Sequence, residues 1–194
     1  MGKDRYANLI ECSGPPGIKV YLAHDTVLDR EVEVKVFPWT GDGFEGGDDS
    51  AAKPDPTRSD YFREARAISL LEHPAVPAVL DAGTWGEEDY YYALRLARGE
   101  PLRNAIARET TKAGRLRYLP QFIAACRALA YAHSRGVTHR RLTTSSIVIG
   151  TYGDVMVEGW SRAYIRNGSA HGVIESPEDE HTEFQSPEIR RGAA

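Results

Sequence analysis

Long apolar runs are missing from this chain. No stretch of about 18 consecutive apolar residues occurs, so no membrane-spanning helix is expected. The opening MGKDRY lacks the apolar centre of a secretory signal and has no Ser or Thr at position 6 for myristoylation. Cysteine is scarce: Cys12 and Cys126 stand far apart, with no metal-ligand spacing, and read as small packing residues in a reducing compartment. Positive charge is short as well. Lys and Arg number 24 against 28 Asp and Glu, and a net charge of -4 argues against nonspecific binding to nucleic acid. No internal repeat is visible. These absences describe a cytoplasmic protein with neither membrane nor nucleic acid as partner.

What is present suffices for a sizeable core. The chain has 194 residues, 41% of them hydrophobic, and its length fits one domain or one domain cut short. IKVYLAHD (Ile18–Asp25) and REVEVKVF (Arg30–Phe37) are β-branched and aromatic, with TVLD as a turn between them. In the second, Val32, Val34 and Val36 share one face and Glu33 and Lys35 the other, which predicts an antiparallel hairpin. Thr40–Ser59 breaks all periodicity and predicts a flexible acidic surface loop. Helical spacing resumes in SDYFREARAISLLEH, with Ser59 or Asp60 as N-cap and Phe62, Ala65, Ile68 and Leu71 as its stripe, up to Pro74. Two short strands are predicted around GEED. Leu116–Arg135 is the strongest helix, with Leu119, Phe122, Ile123, Cys126, Leu129 and Ala130 as apolar stripe and Gly136 after it. Strands SIVIG and DVMVEG follow. The order is α+β in two parts, β-rich first and helical second.

In this order, VYLAHDTVLDREVEVKVF, YFREARAISLLEHPAVPAVLDAG, YYYALRLARGEPL, YAHSRGVTHRRL, GDVMVEGWSRA and SPEIRRG resemble successive segments of a bacterial serine/threonine protein kinase of the eukaryotic-like type. The resemblance covers nearly the whole chain. It implies a bilobal fold: residues 1–98 as a β-rich N-lobe with hinge, containing the insertion at 40–59, and residues 99–194 as a partial helical C-lobe. It makes Lys35 the strand lysine that holds ATP phosphates, Glu64 its ion-pair partner, Leu94 the guard of the back pocket and Arg95–Ala97, with Leu96 between, the hinge. ATP therefore stays a candidate ligand through Lys35, Glu64, Leu94, Leu96 and Ala97.

The departures from that family bear on chemistry. The family's catalytic Asp, its metal-binding Asn and the Asp of D-F-G fall on Arg141, Ser146 and Gly159, and Thr143 replaces a phosphate-contacting Lys. Arg141 cannot accept a proton. Pro15 and Pro16, lacking N–H groups, interrupt the glycine-rich loop ECSGPPGIKVY. Magnesium loses its ligands, with Glu158, one residue before Gly159, as the single weak substitute. The expectation is a degenerate member, a pseudokinase serving as a binding or regulatory module. The alternative is a weak or atypical serine/threonine kinase working through Lys35 and Glu158.

Plainer roles stand beside these. Lys35 and Glu64 could be a relic pair tying helix to sheet, His139 and Arg140 a scaffold for the loop, and Arg141 a solvated charge. His133 and His171 read as ordinary surface or helix-end residues. SPEIRRGAA closes the chain just past the A-P-E counterpart, which implies a C-terminally truncated kinase domain. Either the apolar face of Leu116–Arg135 is covered by a protein partner or a second copy, or the chain is a truncated gene product.

Overall fold

The computed structural model describes residues 2–37, 62–86 and 89–166. The predicted loop Thr40–Ser59, the cap at Ser59 or Asp60, the tip of GEED, His171 and the SPEIRRG segment lie outside these residues. The chain divides into two compact units, Met1–Glu72 with Pro77–Ala97, and His73–Val76 with Arg98–Ala194.

The first unit is a five-stranded antiparallel sheet. A short helix α1 (Gly2–Arg5) leads into β1 (Tyr6–Cys12), followed by β2 (Lys19–Asp25), β3 (Arg30–Phe37), helix α2 (Arg63–Ser69), β4 (Val79–Trp85) and β5 (Asp89–Arg95). The strand order is β1-β2-β3-β5-β4. The predicted hairpin forms, with Lys35 opposite Val20 and Asp25 opposite Arg30. Alternation along β3 puts Val32, Val34 and Val36 into a core with Tyr6, Ala23, Trp85, Tyr91 and Ala93. Pairing of β3 with β5 sets Lys35 beside Tyr92 and Glu33 beside Leu94 on the other face. Against that face, Phe62 and α2 pack, with Phe62 6.3 Å from Phe37 and 6.1 Å from Tyr92 between ring centroids. The helix is shorter than its sequence pattern, beginning after Phe62 and ending at Ser69. Ala65, Ile68 and Leu71 of the predicted stripe are buried, and Ala67 joins them.

Strand β1 and a charged cluster at its start have no clear sequence signal. Arg5 donates to both carboxylate oxygens of Asp25 at 2.9 and 2.8 Å and to Asp81 at 2.9 Å. Tyr6 and Tyr91 hydroxyls donate to the same Asp81 oxygen. The Arg5 bonds hold the Asp25 carboxyl down at about 2, against burial that pushes it up. Burial, with Asp81 beside it, pushes the Tyr91 hydroxyl up to about 12.

The second unit begins with β6 (Glu100–Pro101), α3 (Leu102–Ala107) and α4 (Lys112–Leu116), whose N-cap Thr111 accepts from Gly114 N–H at 3.0 Å. Its long helix is α5 (Leu119–Ser134), with proline in the first turn, and Gly136 at φ 77° beyond its end donates to His133 O. The predicted Leu116–Arg135 helix thus breaks at Arg117–Tyr118. Strands β7 (Val137–Thr138), β8 (Ile147–Ile149), β9 (Val155–Val157) and β10 (Tyr164–Ile165) complete the unit, as sheets β6-β8-β9 and β10-β7.

The face that α5 buries is Ala125, Ala128 and Ala132, while Leu119, Phe122 and Ile123 of the predicted apolar stripe stay 43–49% exposed, with Cys126 and Ala130 exposed beside them. Alanines let the helix approach β7 and β9 closely, so the small residues carry the packing. Cys12 and Cys126 are not packing residues: both are free and exposed.

Candidate functional site

The candidate residues fall into two clusters, one within each unit. In the first unit, β3 carries Lys35 and α2 carries Glu64 to the same face of the sheet. Lys35 Nζ donates to Glu64 Oε2 at 2.6 Å, and the Tyr92 hydroxyl donates to that same oxygen at 2.6 Å. Glu64 is 4% exposed, yet its carboxylate is satisfied by a cation and a hydroxyl, the condition under which a buried charge is tolerated. A second carboxylate, Glu33 Oε1, lies 3.4 Å from Lys35 Nζ. Burial pulls the Lys35 ammonium down, but Glu64 and then Glu33 outweigh it and leave its pKa raised. Burial, followed by the Glu64 charge, pushes the Tyr92 hydroxyl far up, so it stays a donor.

The resemblance-derived pocket residues lie near this pair in sequence order. Leu94 is buried at the Glu33 register position, and Leu96 and Ala97 are half-buried just beyond β5. Between β1 and β2, the loop at residues 13–18 turns through Gly17 at φ 79°, with Ile18 N–H already bonded to Pro15 O at 3.1 Å. Pro15 and Pro16 bring no donors. The loop therefore offers no run of free amides that could wrap a phosphate.

In the second unit, the segment between β7 and β8 is organised around His139. This residue is buried, its Nε2 lies 2.8 Å from Glu158 O, and its Nδ1 accepts from Arg141 N–H at 3.3 Å. That acceptor role makes Nε2 the protonated nitrogen. Trp160 packs edge-on against the imidazole at 4.6 Å, is fully buried, and anchors itself through Nε1 to Val157 O at 2.8 Å. His139 thereby links the loop to the end of β9. Arg140 is held at φ 65°, a left-handed conformation that costs a non-glycine residue about 1–2 kcal/mol.

The remaining loop side chains satisfy one another. Ser146 Oγ accepts from Thr143 N–H at 3.3 Å and lies 3.2 Å from Thr143 Oγ1, which in turn accepts from Ser145 N–H at 3.2 Å. Ser146 N–H bonds to Thr143 O at 3.0 Å, and Glu158 N–H to Ser146 O at 2.8 Å. Arg141 is exposed. Positions 146 and 159 meet in space, since a Cβ on Gly159 would lie 3.8 Å from Ser146 Oγ. Gly159 itself, at φ 81°, supplies no ligand atom. Glu158 is joined to the loop through its backbone, by its N–H to Ser146 and its carbonyl to His139.

The two clusters do not fit magnesium or a phosphate cradle. Ser146 is a neutral hydroxyl occupied within its own turn, Gly159 has no side chain, and the 13–18 loop lacks a run of consecutive free amides. Among the described residues, no group of three or more His, Cys, Asp or Glu is placed to hold a metal ion. A lysine–glutamate pair between a strand and a helix nevertheless coexists with a histidine-anchored loop leading into a short antiparallel strand pair. The likeness is to protein kinases. Over 187 residues, 90% of the chain, it is 28% identical to the serine/threonine-protein kinase PknD of Protochlamydia amoebophila. It is 32% identical over 136 residues to the DNA damage-responsive serine/threonine-protein kinase RqkA of Deinococcus radiodurans, and 32% identical over 161 residues to CBL-interacting protein kinase 29 of Oryza sativa. These matches cover 70% and 80% of the chain. The chain spans only 17%, 19% and 34% of the lengths of these three curated relatives, so what they share with it is one region of a longer protein. No protein-family model matches the chain. The α+β fold with its antiparallel sheet is the one the kinase resemblance implied.

The sequence singled out Lys35, Glu64, His139 and the positions 141, 143, 146 and 159. It did not single out Tyr92 or the contact of Glu33 with Lys35. Alternation along β3 could have signalled the second, because it sets a glutamate two residues from the lysine on one face. Nothing local signals that Tyr92 reaches Glu64.

Proposed function

We propose that this chain is a protein-kinase-like binding or regulatory module that does not transfer phosphate. The observation carrying this reading is the loop at residues 141–146 with the end of β9. An exposed arginine stands at the base position, a turn-bound serine at one metal position and a glycine at the other. Phosphoryl transfer depends on metal-borne charge stabilisation and on a positioned nucleophile. Removing one preorganised electrostatic group costs about 3 kcal/mol or more in comparable sites, and here three are replaced. The His139 anchor explains why such a loop keeps its shape without them: its bonds run to backbone and ring, not to a metal. Two exposed free thiols suit the reducing, cytoplasmic setting this reading assumes.

The binding role draws on α5, whose Leu119, Phe122 and Ile123 lie exposed along successive turns beside exposed Leu116. A protein partner or a second copy of the chain would cover this face. The alternative, an atypical serine/threonine kinase using Lys35 and Glu158, takes its support from the intact Lys35–Glu64 pair. Labelled ATP with generic substrates, and autophosphorylation, discriminate the two. Transfer should stay at background; a signal abolished by Lys35→Met would sink the proposal.

A further inference from the structure

The Lys35 ammonium has more negative charge around it than a lysine waiting for phosphate needs. Period-two alternation in β3 places Glu33 and Lys35 side chains on the same face, one residue pair apart. Lys35 Nζ meets Glu64 at 2.6 Å and Glu33 at 3.4 Å, so a single cation serves two carboxylates and the trio carries a formal charge of one negative. Glu64 is additionally held by the Tyr92 hydroxyl. Its side chain is 5% exposed, whereas that of Glu33 is 27% exposed, so Glu33 is the carboxylate partner on the solvent side.

We propose that Glu33 acts as a built-in anion, holding the Lys35 ammonium in place of a phosphate group and so excluding nucleoside di- and triphosphates from this face of the sheet. A polyphosphate reaching Lys35 has to displace Glu33 and then lie beside it, since the strand tethers that carboxylate two residues away. With no magnesium ligand to screen the repulsion, the like charges act at short range and at partial burial, where they are strong. This inference rests on the kinase-like reading of the Lys35 face, and it assigns the loss of nucleotide affinity to one side chain rather than to general decay of the site.

The test uses the full chain and ATP, ADP and inorganic tripolyphosphate, titrated calorimetrically without and with magnesium. Variants are Glu33→Ala, Glu33→Gln, Lys35→Met and the double variant Glu33→Ala/Lys35→Met. Removing the charge at Glu33 should tighten binding of all three probes at least about tenfold over the unaltered chain. The glutamine keeps the shape of the side chain and should act in the same direction, which preserves the test should the alanine variant fold poorly. In the double variant, compared with Lys35→Met alone, only the smaller part of the gain that comes from relieved repulsion should remain. Affinity unchanged in both Glu33 variants overturns the proposal, as does a gain that persists in full without Lys35. Phosphate transfer measured on the same samples is a separate readout. Transfer by the unaltered chain would refute the non-catalytic function while leaving the affinity ratio to judge Glu33.

Discussion

Replacing Glu64 by alanine removes one carboxylate, strands the Tyr92 hydroxyl and leaves Lys35 with Glu33. The Tyr92 hydroxyl sits on a residue only 1% exposed and has Glu64 as its acceptor at 2.6 Å. Leaving such a donor unsatisfied costs about 1–3 kcal/mol. Lys35 keeps Glu33 at 3.4 Å, so it does not become an isolated buried charge. The loss should therefore sit at the low end of the about 3–5 kcal/mol typical of a broken buried pair. A loss of about 3 kcal/mol corresponds to a fall in Tm of about 6–12 °C for a chain of this size. Calorimetry and circular dichroism at neutral pH give the value. Lys35→Met alone strands Glu64 with Tyr92 as its remaining partner and should cost a similar amount. Combining Lys35→Met with Glu64→Leu should cost clearly less than the sum, because two apolar groups need no partners. The raised Lys35 pKa adds a pH signature. Its stabilisation is fully present below its ordinary value of 10.5 and is lost as pH climbs through the higher folded value. A Glu64→Ala loss under about 1 kcal/mol would refute the argument, since the pair would then behave like a solvent-screened surface contact.

Acid stability should follow Asp25. With its carboxyl held at about 2 against an ordinary 3.8, the stabilisation it gives is full above about pH 4 and disappears as pH falls through 2. Asp25→Asn should cost about 2 kcal/mol at pH 7 and flatten the stability curve between pH 4 and 2, read by urea melts across that range; an unchanged slope would contradict the Arg5 assignment. Self-association through α5 should appear in sedimentation of the pure chain as dimers or larger species. Phe122→Glu with Ile123→Glu should disperse them, and a monomer at high concentration before mutation would rule out the second copy as occupant.

Much of the first unit could be read along the chain. The β2–β3 hairpin, the buried valines of β3 and the buried Ala65 and Ile68 of α2, with Leu71 just beyond it, follow from periods of two and 3.6 residues, which are local properties of the backbone. On α5 the same patterning marked the larger apolar residues, which stay exposed; that Ala125, Ala128 and Ala132 form the buried face was not legible, because close approach depends on side-chain size across an interface that periodicity does not report. At the site, residue identity alone determined that positions 141, 146 and 159 carry no carboxylate or amide, for no fold can restore an atom the side chain lacks. The tertiary structure decided how the remaining groups spend their bonding capacity. Ser146 and Thr143 satisfy each other in a turn, His139 ties the loop to Glu158 and Trp160, and Lys35 is shared between Glu64 and Glu33. Those partners come from different strands, helices and loops, and pairings between them exist only once the register of the sheet and the seat of the helix are set.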